Sequence, residues 1–417
     1  MEDNLQGVSC QPAQTQSDVL AAMEFAAKVY GPNYFAAKRS HDRILKLELS
    51  SKPENFILAR DKSGSIVGLA RIVERELLLP LSSLSVGGIS TVCSHPDWKG
   101  RGIGIVLMEK ALSYIQDRKY DISLLFGRRA VDGYYSRFGY EGVSCHMSMR
   151  MEIVSSDYNL ALPDGIQLSS PCSDDLPSIQ TLYESASVSI PVRLGRTLVA
   201  WRLFLERLED TPSSSELIVV RRGGTITGYV ILNEEALAEA AFDENRYDLA
   251  LAILRDTVAM GKNSGLLIIG LPMQHAMSKW LSARNHVVHL RRCEDGGHMV
   301  RVNNPIGCLH KMKNCMIKRI ESAGLRPFSI RIGDINYFWN GVDLQIREAD
   351  LGLGQNRCGQ KETYDCEVDL AKNDWAKLLL GTHFPGEYGG YSVSGRAGIF
   401  YALFPMLWPQ FSVVDEF

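Results

Sequence analysis

Apolar and polar positions along the chain predict alternating helices and strands rather than one repeated pattern. Residues 21–29 and 41–48 read as helix. The runs FILAR (56–60) and IVGLARIVER (66–75) flank DKSGS, whose glycine supplies a turn, so they predict a β-hairpin. A β-like run, VGGISTV (86–92), leads through HPDWKGRGIG into the apolar-periodic helix IVLMEKALSYIQ. DISLLFG (121–127) reads as a buried strand and VDGYYSR as a short helix, and a last strand begins at Phe138.

After a polar, turn-rich stretch at 155–165 the pattern partly repeats. Residues 166–186 read as strand then helix, and 216–234 as a second hairpin. Residues 247–261 read as helix, 266–272 as a buried strand and 273–284 as helix. The repeated order predicts a duplicated fold. From Asn303 onward come further β-like runs and one clear helix, AKNDWAKLLL, closed by Gly381.

Composition narrows the class. The chain has 417 residues, 45% of them hydrophobic, enough for two or three cores. A formal net charge of -3 gives no basic footprint for nucleic acid. Nine dispersed cysteines predict reduced thiols and a cytoplasmic protein. The N-terminus lacks the apolar core of a secretory leader. The longest apolar run, 397–408, is shorter than the ~20 residues a membrane span needs. The His and Cys residues show no metal-ligand spacing, so no metal is expected.

The stretch 89–112 carries the chemistry. A strand enters a loop holding Gly100, Gly102 and Gly104, and a helix begins there. Glycines admit a ligand close to the backbone, and the free N–H groups of a helix start hold an anion. Lys99 and Arg101 add positive charge. The pattern is neither a Walker A loop nor a dinucleotide fingerprint. It fits a pyrophosphate cradle; a plain strand–turn–helix connection without ligand is the alternative.

Val92, Pro96 and the run Lys99-Gly-Arg-Gly-Ile-Gly resemble the cofactor motif of GCN5-related N-acetyltransferases. Lys99 stands where that motif has Gln or Arg, keeping the charge without the bidentate fork. The resemblance implies acetyl-CoA as cofactor. It implies pairing of the pantetheine arm with Val92, Cys93 and Ser94. It places the pyrophosphate on N–H groups across Gly100, Arg101, Gly102, Ile103 and Gly104. Residues 130–143 (AVDGYYSRFGYEGV) resemble the Eis-like (enhanced intracellular survival) acetyltransferases of that superfamily.

The Eis-like resemblance implies an α/β (α+β) chain of two tandem acetyltransferase folds and a C-terminal sterol-carrier-protein-like domain. Residues 1–155 would form the cofactor-binding, catalytic domain, 165–303 a degenerate copy, and 304–417 the sterol-carrier-like domain. The degenerate copy is expected because no glycine-rich loop joins its hairpin to its helix. Tyr135 is implied as general acid, and a phenol suits the role because it stays protonated at neutral pH. The strand before the loop has neither carboxylate nor histidine, so a base must come from elsewhere. The resemblance implies the C-terminal carboxylate of Phe417.

The acceptor would be a primary amine (aminoglycoside, polyamine or lysine-type), and the resemblance implies a homo-oligomer such as a hexamer. A non-catalytic acyl-CoA- or lipid-binding protein using the C-terminal domain is the other class. His95 reads as a solvated loop residue, Arg128 and Arg129 as exposed arginines, and Trp339, Trp375 and Trp408 as core or pocket walls.

Overall fold

The computed structural model describes residues 7–30, 52–127, 132–152, 162–187, 190–210, 215–233, 236–244, 246–259, 266–271, 274–283, 288–293, 297–348, 364–371, 374–382, 392–405 and 407. The helix expected at 41–48 lies outside them.

The first half runs β1 (Ser9–Pro12), α1 (Gln16–Tyr30), β2 (Phe56–Arg60), β3 (Ile66–Leu79), β4 (Ser82–Ser94), α2 (Ile103–Asp117), β5 (Ile122–Gly127), α3 (Asp132–Ser136), β6 (Glu141–Gly142) and β7 (Ser144–Glu152). The second half runs β8 (Ile166–Ser169), α4 (Leu176–Ala186), β9 (Arg193–Leu194), α5 (Leu198–Asp210), β10 (Ser215–Arg222), β11 (Thr225–Asn233), β12 (Ala236–Phe242), α6 (Tyr247–Ala259), β13 (Leu266–Leu271), α7 (Ala276–Ser282), β14 (Val288–Cys293) and β15 (Gly297–Val302). The third region holds α8 (Pro305–Ser322), β16 (Phe328–Ile332), β17 (Ile335–Trp339), β18 (Leu344–Glu348), β19 (Cys366–Asp369), α9 (Trp375–Leu380), β20 (Ser392–Gly395) and α10 (Ala397–Leu403).

Sheet membership does not follow chain order. The first sheet is ordered β1-β2-β3-β4-β5-β15-β6, with β9 paired to β3. The second is ordered β14-β7-β13-β12-β11-β10-β8. The first half therefore sends β7 into the second sheet, and the second half sends β15 and the short β9 into the first. Strand β15 pairs antiparallel with β5, His298 opposite Phe126, while β7 pairs antiparallel with β13 and β14. The strand order is otherwise the same in both sheets, which is the duplication expected from the element order.

Helix α2 buries one face because its apolar residues recur every three or four positions. Ile103, Leu107, Met108, Ala111 and Ile115 pack on Ile57, Ala59, Val67, Ala70, Ile72, Ile89 and Leu125. Side chains alternate across a strand, so Phe56, Leu58 and Leu69 face the opposite side, where α1 covers them. Farther along that side, Leu84, Val86, Leu124 and Val300 join Leu309, Met312, Met316 and Ile320 of α8 in one core with the third region. Each such side chain contributes about 1.5–3 kcal/mol when fully buried.

The third sheet is ordered β18-β17-β16-β19-β20. Trp339 and Trp375 are buried in its core, as read from the sequence, whereas Trp408 lies outside the described residues. Gly381 caps α9 in the left-handed region (φ 59°), also as expected. No helix among the described residues is long and apolar enough to cross a membrane.

Several elements escape the sequence pattern, α5, β14 and β15 among them, and two more are instructive. ALAEAAF (236–242) is rich in Ala and holds one Glu, residues of low β-propensity, yet forms the central strand β12. Its ladder with β11 overrides that local preference. Helix α8, 18 residues long, begins at a proline after Asn304, whose side chain accepts the Gly307 N–H at 2.9 Å.

Candidate active site

Strands β4 and β5 pair in parallel only from Val86–Ile89 against Ile122–Leu125, although β4 continues to Ser94 and β5 to Gly127. A bulge accompanies this parting. The β3–β4 register slips between Leu69 and Arg71, and Thr91 adopts φ 52°. A positive φ is strained for a β-branched residue and re-aims the strand. Beyond Ile89 the edge of β4 opens toward the glycine loop.

A short turn, Pro96–Trp98, follows. His95 caps it, its Nδ1 accepting the Asp97 N–H at 3.3 Å, so this histidine serves the loop's shape. Gly100 (φ 79°) and Gly102 (φ 92°) take left-handed conformations, and Gly102 is the N-cap of α2 without a side-chain cap. The first N–H groups of a helix have no intrahelical acceptor. They collect positive potential at one point. Gly104 has a different reason: a Cβ there would lie 2.7 Å from the Tyr134 hydroxyl.

These pieces enclose a cavity of about 300 Å³ lined by Ser94, Trp98, the backbone from Gly100 to Ile105, Tyr134 and Arg137. The Arg101 guanidinium lies 5.0 Å from the Trp98 ring centre and that of Arg137 lies 5.1 Å from Tyr134's. Two cations and a helix start thus converge on one space. The Tyr134 hydroxyl is buried and has no hydrogen-bond partner among the described residues. Burial is the main cause that pushes its pKa up to about 12, with a smaller contribution from Tyr135, so the phenol keeps its proton at neutral pH.

The family model described as "Acetyltransferase (GNAT) domain" matches residues 12–143. Residues 12–143 are a GNAT acetyltransferase domain. The chain is an N-acetyltransferase, and acetyl-CoA is its acyl donor. Solved structures of the same fold cover nearly the whole chain. A GCN5-related N-acetyltransferase from Anabaena variabilis is 12% identical (TM-score 0.64; 98% of this chain, 100% of that one). Eis1 from Mycobacterium abscessus is 16% identical (TM-score 0.63; 98% and 100%). A probable N-acyltransferase of unknown function from Enterococcus faecalis is 14% identical (TM-score 0.65; 97% and 98%). At these identities the likeness is one of fold. No curated protein matches the chain.

The GNAT domain's cavity fits its cofactor on two observations: an orphaned buried hydroxyl and a glycine whose side chain would fill the cradle. When bound, acetyl-CoA supplies an activated thioester. The chain's own residues would hold its pyrophosphate through the start of α2, with Arg101 and Arg137 balancing the charge.

Of the residues expected from the sequence, Ser94, Gly100, Arg101, Gly102, Ile103 and Gly104 line this one cavity. Lys99 precedes it, its N–H bonded to the Pro96 carbonyl. Val92 and Cys93 lie on β4 below it. The Val92 carbonyl accepts the Tyr30 hydroxyl at 3.2 Å. The Cys93 thiol packs against α1, and burial pushes its pKa up to about 12. Tyr135 packs beside the cavity, its ring 5.1 Å from Tyr134 and 6.3 Å from Tyr140. Phe417, Arg128 and Arg129 lie outside the described residues. Trp98, Ile105, Tyr134 and Arg137 line the cavity without having been singled out. A tyrosine pair on a short helix was the available signal, and it did not say which ring turns inward.

Proposed function

We propose that the enzyme moves the acetyl group directly from acetyl-CoA to a primary amine, of aminoglycoside, polyamine or lysine type. The fork between β4 and β5, ending in the glycine cradle, carries this reading. It leaves an extended strand edge for a pantetheine arm at Val92, Cys93 and Ser94, leading away from an anion site. Direct transfer needs a neutral amine and a proton for the departing thiolate. Tyr135 supplies that proton, and the Phe417 carboxylate accepts the one from the amine. The layout is Eis-like, with 1–155 catalytic, 165–303 degenerate, and 304–417 sterol-carrier-like. The enzyme works in the cytoplasm as a homo-oligomer.

Thiol release from acetyl-CoA over a panel of polyamines, aminoglycosides and lysine peptides tests this. Tyr135→Phe and a chain lacking Phe417 should each lose about 10²–10⁴-fold in kcat, the range for acid–base groups, while still binding acetyl-CoA. Full turnover in either variant removes that residue from the mechanism.

A further inference from the structure

We propose that the Tyr134 hydroxyl donates a hydrogen bond to a pyrophosphate oxygen of bound acetyl-CoA, making Tyr134 a cofactor-binding residue distinct from Tyr135. The proposal rests on the acetyl-CoA reading of the cavity.

Three observations converge. First, the hydroxyl is buried and has no partner among the described residues. A buried polar group left unpaired is destabilising, and in native structures it calls for an explanation such as a ligand. Second, its position is specific. It lies where a side chain on Gly104 would sit, beside the N–H groups of Ile103 and Gly104 that begin α2. A ligand oxygen reaching those N–H groups comes within reach of the phenol as well. Third, the surroundings select an anion. Arg101 and Arg137 line the same cavity. No carboxylate is among the lining residues. The ring is fixed by Phe138 and Tyr135, 5.4 Å and 5.1 Å away in edge-on contacts, and by the Arg137 guanidinium above it. The donor is therefore pre-positioned, and its raised pKa keeps the proton in place at neutral pH.

A neutral phenol at this point suits a pyrophosphate that already meets two guanidinium groups. It adds a directional hydrogen bond without further charge.

The test is calorimetric titration of the full chain and its Tyr134→Phe variant with CoA and with acetyl-CoA, alongside thermal unfolding without ligand. A hydrogen bond to a charged group implies a loss of about ten- to a hundredfold in affinity, equal for both ligands because the acetyl group is remote. In steady state the loss should fall on KM for acetyl-CoA rather than on kcat. The ligand-free variant should unfold no earlier than the parent, since no protein partner is lost. Unchanged affinity overturns the proposal. So does a loss confined to kcat, which would make Tyr134 the proton donor. A ligand-free variant that unfolds several degrees earlier also overturns it, since the hydroxyl would then have a structural partner. A parent chain that binds neither ligand overturns the acetyl-CoA reading itself.

Discussion

The two halves share a strand order and differ in what fills the fork between their central strands. The hairpins place Gly68 opposite Ser94 and Gly228 opposite Phe242, and the parallel ladders end at Ile89 and Leu237, equally far before them. By this register Ala240 is the counterpart of Val92 and Glu239 that of Thr91. In the first half, Ser94 opens onto the cavity. In the second, the Phe242 ring lies where a Gly228 side chain would be. The Ala240 carbonyl is taken by the buried His275 imidazole at 3.0 Å, on the strand edge that Val92 would offer to a pantetheine arm. At the bulge, Glu239 forms a buried bidentate pair with Arg196 at 2.7 and 2.9 Å and accepts the Tyr229 hydroxyl at 2.6 Å.

The connection to the helix differs as well. Instead of glycines it carries Asp243 and Glu244, and Arg246 is tied to Asp248 in the first turn of α6. Carboxylates at a helix start suit the dipole and repel an anion. The same scaffold thus keeps a glycine-lined cavity at the end of one fork, and fills the matching place in the other with its own side chains.

The largest effect expected from disturbing this contrast lies in the filled half. Glu239→Ala removes the carboxylate from a buried Arg196, and breaking such a pair is destabilising by about 3–5 kcal/mol. Arg196 also stacks 4.0 Å from the Tyr183 ring centre, so it has no easy route to solvent. Denaturant unfolding should show the full loss. A change below about 1 kcal/mol would mean that the pair gives no net support.

In the open half the smaller expected effect concerns Gly104. Gly104→Ala drives a methyl group against the Tyr134 hydroxyl and should weaken acetyl-CoA binding about tenfold or more. In a Tyr134→Phe background the colliding atom is gone, and the ring carbon behind it stands 3.5 Å away, ordinary contact. The added cost of the alanine should then nearly vanish. Neighbouring residues couple by about 0.5–3 kcal/mol in such cycles. Additive losses would show that Gly104 is required for its backbone alone.

Much of the open half was legible because it is written in residues with strong local rules. Gly100 and Gly102 are read from the left-handed turns they take, and the 3–4 periodicity of α2 from its buried face. The hairpins and the cap at Gly381 follow in the same way. The exchange of β7 and β15 was not legible, because both are ordinary β-like runs and their partners are chosen by the packing of the other half. Strand β12 was missed because Ala and Glu give it no β character until its neighbours supply the ladder. The sequence pointed to Tyr135 through the resemblance and gave no sign that Tyr134 lines the cavity, since orientation on a short helix depends on where α2 begins, and that is a tertiary fact.

The smallest expected effect separates the two forks by pH. His275 accepts the Met277 N–H through Nδ1 at 3.2 Å, so its proton sits on Nε2, pointing at the Ala240 carbonyl. Protonating Nδ1 would break the cap of α7 and place a charge in a buried site. Burial, the leading cause, lowers its pKa, against the smaller opposing pulls of the Ala240 carbonyl and the Glu239 carboxylate. The unfolded chain titrates this histidine near 6.5. Below that pH the unfolded state binds a proton that the folded state does not, so stability is present above it and falls as pH drops. The limiting slope is about 1.4 kcal/mol per pH unit for one such group. Denaturant unfolding at pH 7.5, 6.5 and 5.5 should show the parent losing stability with a slope that steepens toward this limit below pH 6.5. His275→Asn keeps a capping side chain without the titration; it should start less stable at pH 7.5 and lose less on acidification. The matching carbonyl of Val92 is held by a tyrosine exposed at the surface, so Tyr30→Phe should leave the acid slope as it is. Equal slopes in the parent and His275→Asn would mean that the imidazole keeps its ordinary pKa, and that the second fork is closed by packing around Phe242 rather than by a fixed neutral histidine.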